Sequence, residues 1–418
     1  MSFIGLVDGS EALELTLLDA LARAPAAAAL VVAALEEDDR KALRLVHSQL
    51  RDAVNEATTG LGLHDPDAAD AADAAAAGAA ARPPTPARWP RLDKLRVYAP
   101  GAAAFAALGS GTWVALGTLW VHYPTRTALD APAARVLAAA LRRMPALHSL
   151  ELRDVALSDA AAEELFCGSG AMPRLRRFSI CGADLSPAYA RALAASGWRL
   201  DGLNLSSVPN LDAAVVEALL AAPTFAIRRL CLAACNLGAA SLLAVANAPW
   251  PLEEVGLAAN DFSAAAFGPA LAALSRHARL RFLDTGSCRL SAGNFKARVE
   301  AAWPALASFG AGEAACTTDG PHALGAAAFA GFPALEELYL SGVALGEAGA
   351  RLLASRRWPR LRMLQLNGGR IGDAGLAALA RGAWPALVAI DLIGNDLGAP
   401  LAEEDARRWA PALVVVLQ

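Results

Sequence analysis

Residues 384–402 read WPALVAIDLIGNDLGAPLA, and residues 358–380, starting 26 positions earlier, read WPRLRMLQLNGGRIGDAGLAALA. Both spell one pattern: an aromatic and a proline, LxxLxL, a turn, a Leu or Ile, a Gly, then an Ala/Leu-rich stretch. The pattern recurs from Trp89 onward. Its first leucine-type position falls at Leu92, Leu116, Leu147, Leu175, Leu200, Ile227, Leu252, Leu280, Leu306, Leu335, Leu361, Leu387 and Leu413, in steps of 24 to 31 residues. Self-similarity at this period is the mark of a solenoid, in which each unit packs only on its neighbours.

Each unit holds two shorter periods. Leu147-x-x-Leu150-x-Leu152 ends in the alternation of a strand with one buried face. A stretch such as 373–380, DAGLAALA, has the apolar spacing of a short helix with one buried face. Asp373 and Ser158 stand where a side chain can accept from the free amides at a helix start. Pro304, Pro359 and Pro385 follow the helical stretches and stop them. One strand and one short helix cannot bury their own apolar side, so stacked units must do so.

On these residues the chain resembles the leucine-rich repeat proteins, and in unit length and helical outer side their ribonuclease-inhibitor-like class. The resemblance implies an α/β leucine-rich repeat solenoid, a horseshoe with parallel strands inside and helices outside. The family's LxxLxLxx(N/C)xL carries Asn or Cys at Asn260, Asn395, Cys235 and Cys288. Val155, Ala183, Val343 and Gly369 stand there in other units, which should be locally irregular. The unit at Leu306 runs on into FGAGEAACTTDGPH (309–322) without a strand-turn leucine and is expected to bulge. The recurring Trp89, Trp250, Trp303, Trp358 and Trp384, with Met144, Met172 and Phe332 substituting, read as apolar plugs at the helix-to-strand corner.

Composition narrows the functional classes. The net charge is −4, with no basic stripe of the kind that grips nucleic acid. The six cysteines form no CxxC pair, and a chain with this much apolar core has no need of a disulfide framework, so free thiols in a reducing compartment are expected. The start, MSFIGLVDGSE, has no basic region or cleavage pattern. The apolar run 24–35 is too short to span a bilayer. Together these readings point to a cytoplasmic or nuclear protein.

The histidines are scattered without metal-ligand spacing. The short loops at Gly109–Gly111 and Gly168–Gly170 lack the Lys-Ser/Thr of a phosphate-binding loop. Asp38–Asp39 and Glu403–Asp405 read as solvated charges. No catalytic residue, metal or cofactor is expected.

Three regions follow: residues 1–65, a small all-α domain; 66–87, an Ala/Pro-rich linker containing AADAADAAAAGAAARPPTPA; and 88–418, about 13 repeats. In the first region Pro25, Val31-Val32-x-x-Leu35, Asp39, Leu43-x-x-Val46 and Leu50-Arg51 occur in the order of an F-box, and this segment resembles one. It departs at the start, where alanines replace Glu-Leu, at His47 in place of Cys, and at Leu50 in place of an aromatic. The resemblance implies that Pro25, Val31, Leu35, Leu43 and Val46 dock on the Skp-type adaptor of a cullin–RING ubiquitin ligase, the repeats holding the protein to be ubiquitinated. A helical cap on the repeats is the competing reading of the segment. A scaffold or regulatory binding protein without ubiquitin chemistry is the competing reading of the whole.

In LxxLxL the residues between and just after the leucines face the inside of the arc. The candidates for a bound protein are Glu151, Arg153, Arg177, Asn204, Arg229, Phe282, Asp284, Glu337, Tyr339, Gln365, Asn367 and Asp391. Arginines dominate the early units and acids the later ones. A plain polar solenoid face is the alternative to a binding groove.

Overall fold

The computed structural model describes residues 60–64, 92–98, 100, 102–170, 172–209, 211–311, 327–398, 413 and 415–417. The Pro25–Val46 motif and the expected linker lie outside them. The chain divides into two compact units: Met1–Arg177 with Ser196–Trp198, and Phe178–Ala195 with Arg199–Gln418. Both are built as α/β leucine-rich repeats, each strand running parallel to its neighbour and each returning through helix or turn.

The first unit contains β1 (Gly60–His64), β2 (Lys94–Tyr98), α1 (Ala102–Leu108), β3 (Thr118–Leu129), α2 (Ala131–Leu141), β4 (Ser149–Leu157) and α3 (Asp159–Gly168). Strands β1 to β4 pair in order and all parallel. β1 falls inside the region read from sequence as all-helical: its GLGLH pairs residue for residue with KLRVY of β2. The stretch alternates Gly and Leu too briefly to announce a strand by itself, and partner edge β2 supplies what its sequence lacks.

The second unit continues with β5 (Arg177–Cys181), α4 (Pro187–Ala195), β6 (Gly202–Asn204), α5 (Ala213–Leu220), β7 (Arg229–Cys231), α6 (Ala239–Ala246), β8 (Glu254–Gly256), β9 (Asp261–Phe262), α7 (Phe267–Ala273), β10 (Phe282–Asp284), β11 (Arg289–Leu290), α8 (Ala292–Glu300), β12 (Ser308–Gly310), β13 (Glu337–Tyr339), α9 (Gly346–Ala354), β14 (Met363–Gln365), α10 (Gly372–Leu379), β15 (Ala389–Asp391) and β16 (Val415–Leu417). From β6 to β16 the strands β6, β7, β8, β10, β12, β13, β14, β15 and β16 are parallel and in one register. β9 and β11 form a separate short pair. Every strand from β2 on, these two apart, starts two residues after the leucine-type position that opens its unit.

That leucine is position 1 of its repeat. Positions 1, 4 and 6 are the core: Leu361, Leu364 and Leu366 are each fully buried, as are Leu335, Leu338 and Leu340. Successive residues of a strand face opposite sides, so positions 3 and 5 face the open side of the sheet. Three residues of strand offer few ladder bonds, and the position-2 carbonyl adds to them. Arg228 O accepts from both Glu253 N and Glu254 N, and the arrangement repeats at Asp201, Arg281, Ala307, Glu336 and Arg362.

In most described units the turn after the strand has one residue in the left-handed region, at position 8. It is Gly182, Gly342, Gly368 and Gly394 in some units and Ser207, Ala234, Ala259 and Ser287 in others. Beyond it, Asn260 fills the family's Asn position as expected. Its Nδ2 donates to Leu232 O and Leu257 O, both 2.8 Å, and its Oδ1 accepts from Cys235 N and Leu237 N. Asn395 repeats this with Leu366 O, Leu392 O and Ile371 N. Cys235 and Cys288 instead donate Sγ–H to Leu205 O and Leu257 O. Burial pushes both thiols up to about 11, so they stay protonated. Where Val155 stands, the irregularity takes a definite form. β3 and β4 run on through the turn, and their pairing breaks register between His122 and Thr127.

Helix starts follow chemistry more widely than the sequence suggested. Ser158 caps α3 by accepting from Ala161 N, and Asp130, Ser186, Asp212 and Ser291 do the same for α2, α4, α5 and α8. Asp373 does not cap: it lies inside α10, and its Oδ1 accepts from Gly398 N of the next unit. Trp303, Trp358 and Trp384 are buried plugs as read. Each indole N–H also donates at 2.9 Å to a carbonyl in the last turn of its helix, Arg298 O, Leu353 O and Leu379 O, adding to the bonds that Arg356 N and Gly382 N make to the last two. Trp113, outside the Trp-Pro series, does the same for Leu108 O.

The unit at Leu306 keeps its strand: β12 pairs with β10 and β13 in register. The expected bulge falls at 312–326, outside the described residues. The departure that is visible lies in the core. Position 6 is Thr285 and then Ala311, both smaller than Leu, and the fully buried Arg298 fills the space. Its Nη1 donates to Thr285 Oγ1, and its guanidinium lies 4.8 Å from the ring centre of Phe309. Among the described residues, no helix is long and apolar enough to cross a membrane.

Two substitutions test this frame by denaturant unfolding. Leu364→Ala should lose about 2–5 kcal/mol, as for other buried leucines. Asn260→Ala orphans the buried Cys235 and Leu237 amides and should lose about 2 kcal/mol or more. An unchanged midpoint in the first would refute the repeat register, and in the second the role of the asparagine.

Candidate functional site

The open face of the strands is where side chains depart from the repeating apolar pattern. In the first unit, register aligns Lys94, Thr118 and Ser149 at position 3, and Arg96, Trp120 and Glu151 at position 5. Beside Trp120 and Glu151 lie His122 and Arg153. The Arg96 guanidinium stacks over Trp120, 5.0 Å from its ring centre, a cation–π contact. His122 Nε2 and Glu151 Oε1 are 3.1 Å apart. Arg153 is exposed, its Nε 3.9 Å from Asp154 Oδ2, and Arg177 is exposed at the start of β5. Glu151, Arg153 and Arg177 were expected here. Arg96, Trp120 and His122 were not, although counting four residues on from Leu92 and Leu116 reaches Arg96 and Trp120.

In the second unit the position-3 row is Gly202, Arg229, Glu254, Phe282, Ser308, Glu337, Met363 and Ala389. The position-5 row beside it is Asn204, Cys231, Gly256, Asp284, Gly310, Tyr339, Gln365 and Asp391. All expected site residues of this unit except Asn367 therefore fall in two adjacent rows, and Asn367 follows Gln365 by two.

Several of them also serve the fold. Asn204 Oδ1 accepts from Ser206 N and Oγ, Asp284 Oδ1 from Gly286 N, and Asp391 Oδ1 from Ile393 N. These i to i+2 bonds close the chain as it leaves the strand, the habit of Asn and Asp at turns. Arg229 Nη2 is held at 2.8 Å by Asp201 Oδ1. Tyr339 donates its hydroxyl to Glu337 Oε2 at 3.1 Å; burial first, then that carboxylate, hold its pKa above the usual tyrosine value. Ser341 Oγ reaches Gln365 Oε1 at 3.5 Å. Phe282 is 39% exposed, one of few large apolar side chains so placed among the described residues.

Among the described residues, no group of three or more His, Cys, Asp or Glu is placed to hold a metal ion. The arrangement offers charged, amide and aromatic groups on a stiff strand frame, which is equipment for contact.

No protein-family model matches the chain, and no curated protein matches its sequence. Solved structures do resemble it. A chain in the crystal structure of the Rad7 and Elc1 complex of yeast aligns at 14% identity and a TM-score of 0.46, covering 100% of this chain and 92% of that one. An internalin, InlF, of Listeria monocytogenes aligns at 11% identity and a TM-score of 0.40, covering 90% and 92%.

Two histidines give the fold a pH dependence. Burial lowers the pKa of His122, against the opposing pull of Glu151, and burial also lowers that of His277. Below about pH 6.5 the unfolded chain takes up protons that the folded chain resists, so stability is lost as the pH is lowered. The melting temperature should drop from about pH 7.5 to about pH 5.5, and His122→Gln should reduce the drop. An equal drop in that variant would remove His122 from the account.

Proposed function

We propose that this chain is a protein-recognition module: the open strand face of its repeats holds a target protein, and its N-terminal segment docks on the Skp-type adaptor of a cullin–RING ubiquitin ligase. The observation that carries the first half is the separation of roles along each strand. Positions 1, 4 and 6 are spent on the core, while positions 3 and 5 present Arg, Glu, Asp, Phe, Tyr and Gln in register on rigid backbone. Exposed aromatics and arginines of this kind concentrate binding energy in protein interfaces. The second half rests on the F-box-like order Pro25, Val31, Leu35, Leu43 and Val46, placed ahead of leucine-rich repeats. The proposal locates the protein in the cytoplasm or nucleus, where its cysteines stay reduced.

The test is affinity capture of the full chain from cells, read by mass spectrometry. The Skp-type adaptor should be recovered with the wild type and lost with Val31→Asp or Leu35→Asp. Target proteins should weaken with Arg177→Ala or Tyr339→Ala at an unchanged melting temperature. Capture of targets without any adaptor would reduce the proposal to a scaffold or regulatory binder. A fall in melting temperature matching the loss of binding would assign Arg177 and Tyr339 to packing.

A further inference from the structure

The strand face from β8 to β15 carries charge of one sign. Its position-3 and position-5 rows contain Glu254, Asp284, Glu337 and Asp391 and neither Lys nor Arg. The acids are not evenly spread. In one row Phe282 lies between Glu254 and Ser308, with Glu337 next; in the other Asp284 lies between Gly256 and Gly310. Glu254 thus flanks the exposed phenyl ring in its row, Asp284 follows it by two residues in the same strand, and Glu337 stands two strands along. We propose that this place seats an arginine or lysine side chain from a basic segment of the target protein. The inference rests on the recognition reading above and names the chemistry of what is recognised.

Three features beyond charge point to a cation. Asp284 stands in a gap in the row of side chains: a Cβ on Gly310 would come within 2.8 Å of its Oδ1. That oxygen already accepts from Gly286 N, which fixes the carboxylate and leaves its other oxygen for an incoming donor. Phe282 presents a ring to solvent, and an aromatic face attracts a cation while a ring of acids repels an anion. Ser308, beside Phe282 in the same row, is 8% exposed, and its hydroxyl has no hydrogen-bond partner. A buried hydroxyl without a partner is unfavourable in the free chain. A guanidinium or ammonium over Phe282 supplies the missing donor once the side chains that cover this oxygen shift aside. Of the basic groups close by, Arg281 is at position 2 of its own strand, and Arg229, next to Glu254 in the position-3 row, is drawn to Asp201 on its other side. An acidic or wholly apolar occupant would bury the charges of Glu254, Asp284 and Glu337 with no cation against them, at high cost.

The test is fluorescence anisotropy of a fluorescein-labelled oligo-arginine peptide with the full chain at low and high salt. The wild type should bind, more weakly in salt. Asp284→Asn should weaken binding about tenfold, the weight of one charge-assisted hydrogen bond. Phe282→Ala should weaken it by about threefold, the weight of a partly exposed cation–π contact. Ser308→Ala should weaken binding while the melting temperature holds or rises, since a hydroxyl kept for packing would lose stability instead. Glu217→Gln, on the far side in α5, should change nothing. Equal loss in Glu217→Gln, or none in Asp284→Asn, would overturn the site. So would self-association that Asp284→Asn abolishes, which would assign the face to a second copy. Captured targets that ignore Asp284→Asn but depend on Arg177 would leave the recognition reading standing and remove this one. Asp284-dependent peptide binding by a chain that captures no protein would do the reverse.

Discussion

Three residues of strand cannot hold themselves in place, and every strand from β6 to β16 that lines the open face is only that long. Each exists because a neighbour lies in register beside it. The position-2 carbonyl that accepts two amides from the next unit is the device that sets this register. A shift of one residue would turn Leu364 or Ile390 outward and bring Gln365 or Asp391 into the core. The apolar core, the asparagine bonds and the two rows on the open face all depend on that single alignment.

The core shows how much variation the alignment tolerates. Asn260 and Asn395 satisfy the turn backbone with side-chain bonds, Cys235 and Cys288 do so with a thiol, and at Val155 the strand pairing resumes beyond the left-handed Asp154. The Trp residues serve two ends at once, filling the corner and donating to a helix carbonyl. Thr285, Ala311 and Arg298 form the sharpest exception, a buried guanidinium where two leucines stand elsewhere. A buried charge needs hydrogen bonds and ring contacts around it to be tolerated, and Thr285 and Phe309 supply some of these.

On the open face the same residues work for fold and for contact. Asn204, Asp284 and Asp391 each close their own strand and still present polar atoms outward. Such double use keeps the groups stiff, which lowers the entropy lost when a partner binds. Arg96 on Trp120 and Tyr339 on Glu337 are held in the same way by neighbours within their units.

The repeat was legible in the sequence because its two periods, alternation in the strand and spacing of three or four in the helix, are imposed by backbone geometry and need no partner to be seen. The leucine count gave the place of each strand and, by the two-residue offset, nearly all of the side chains that face outward. What the tertiary structure alone decided lies between units. Pairing made a strand of Gly60–His64, whose own residues do not ask for one. Packing sent Asp373 to Gly398 of the next unit and brought Arg298 into the space beside Thr285. Register set Phe282 among Glu254, Asp284 and Glu337, residues up to 83 positions apart. The pattern within a unit is local and readable; what a side chain meets is settled by the neighbouring unit, about one repeat away along the chain.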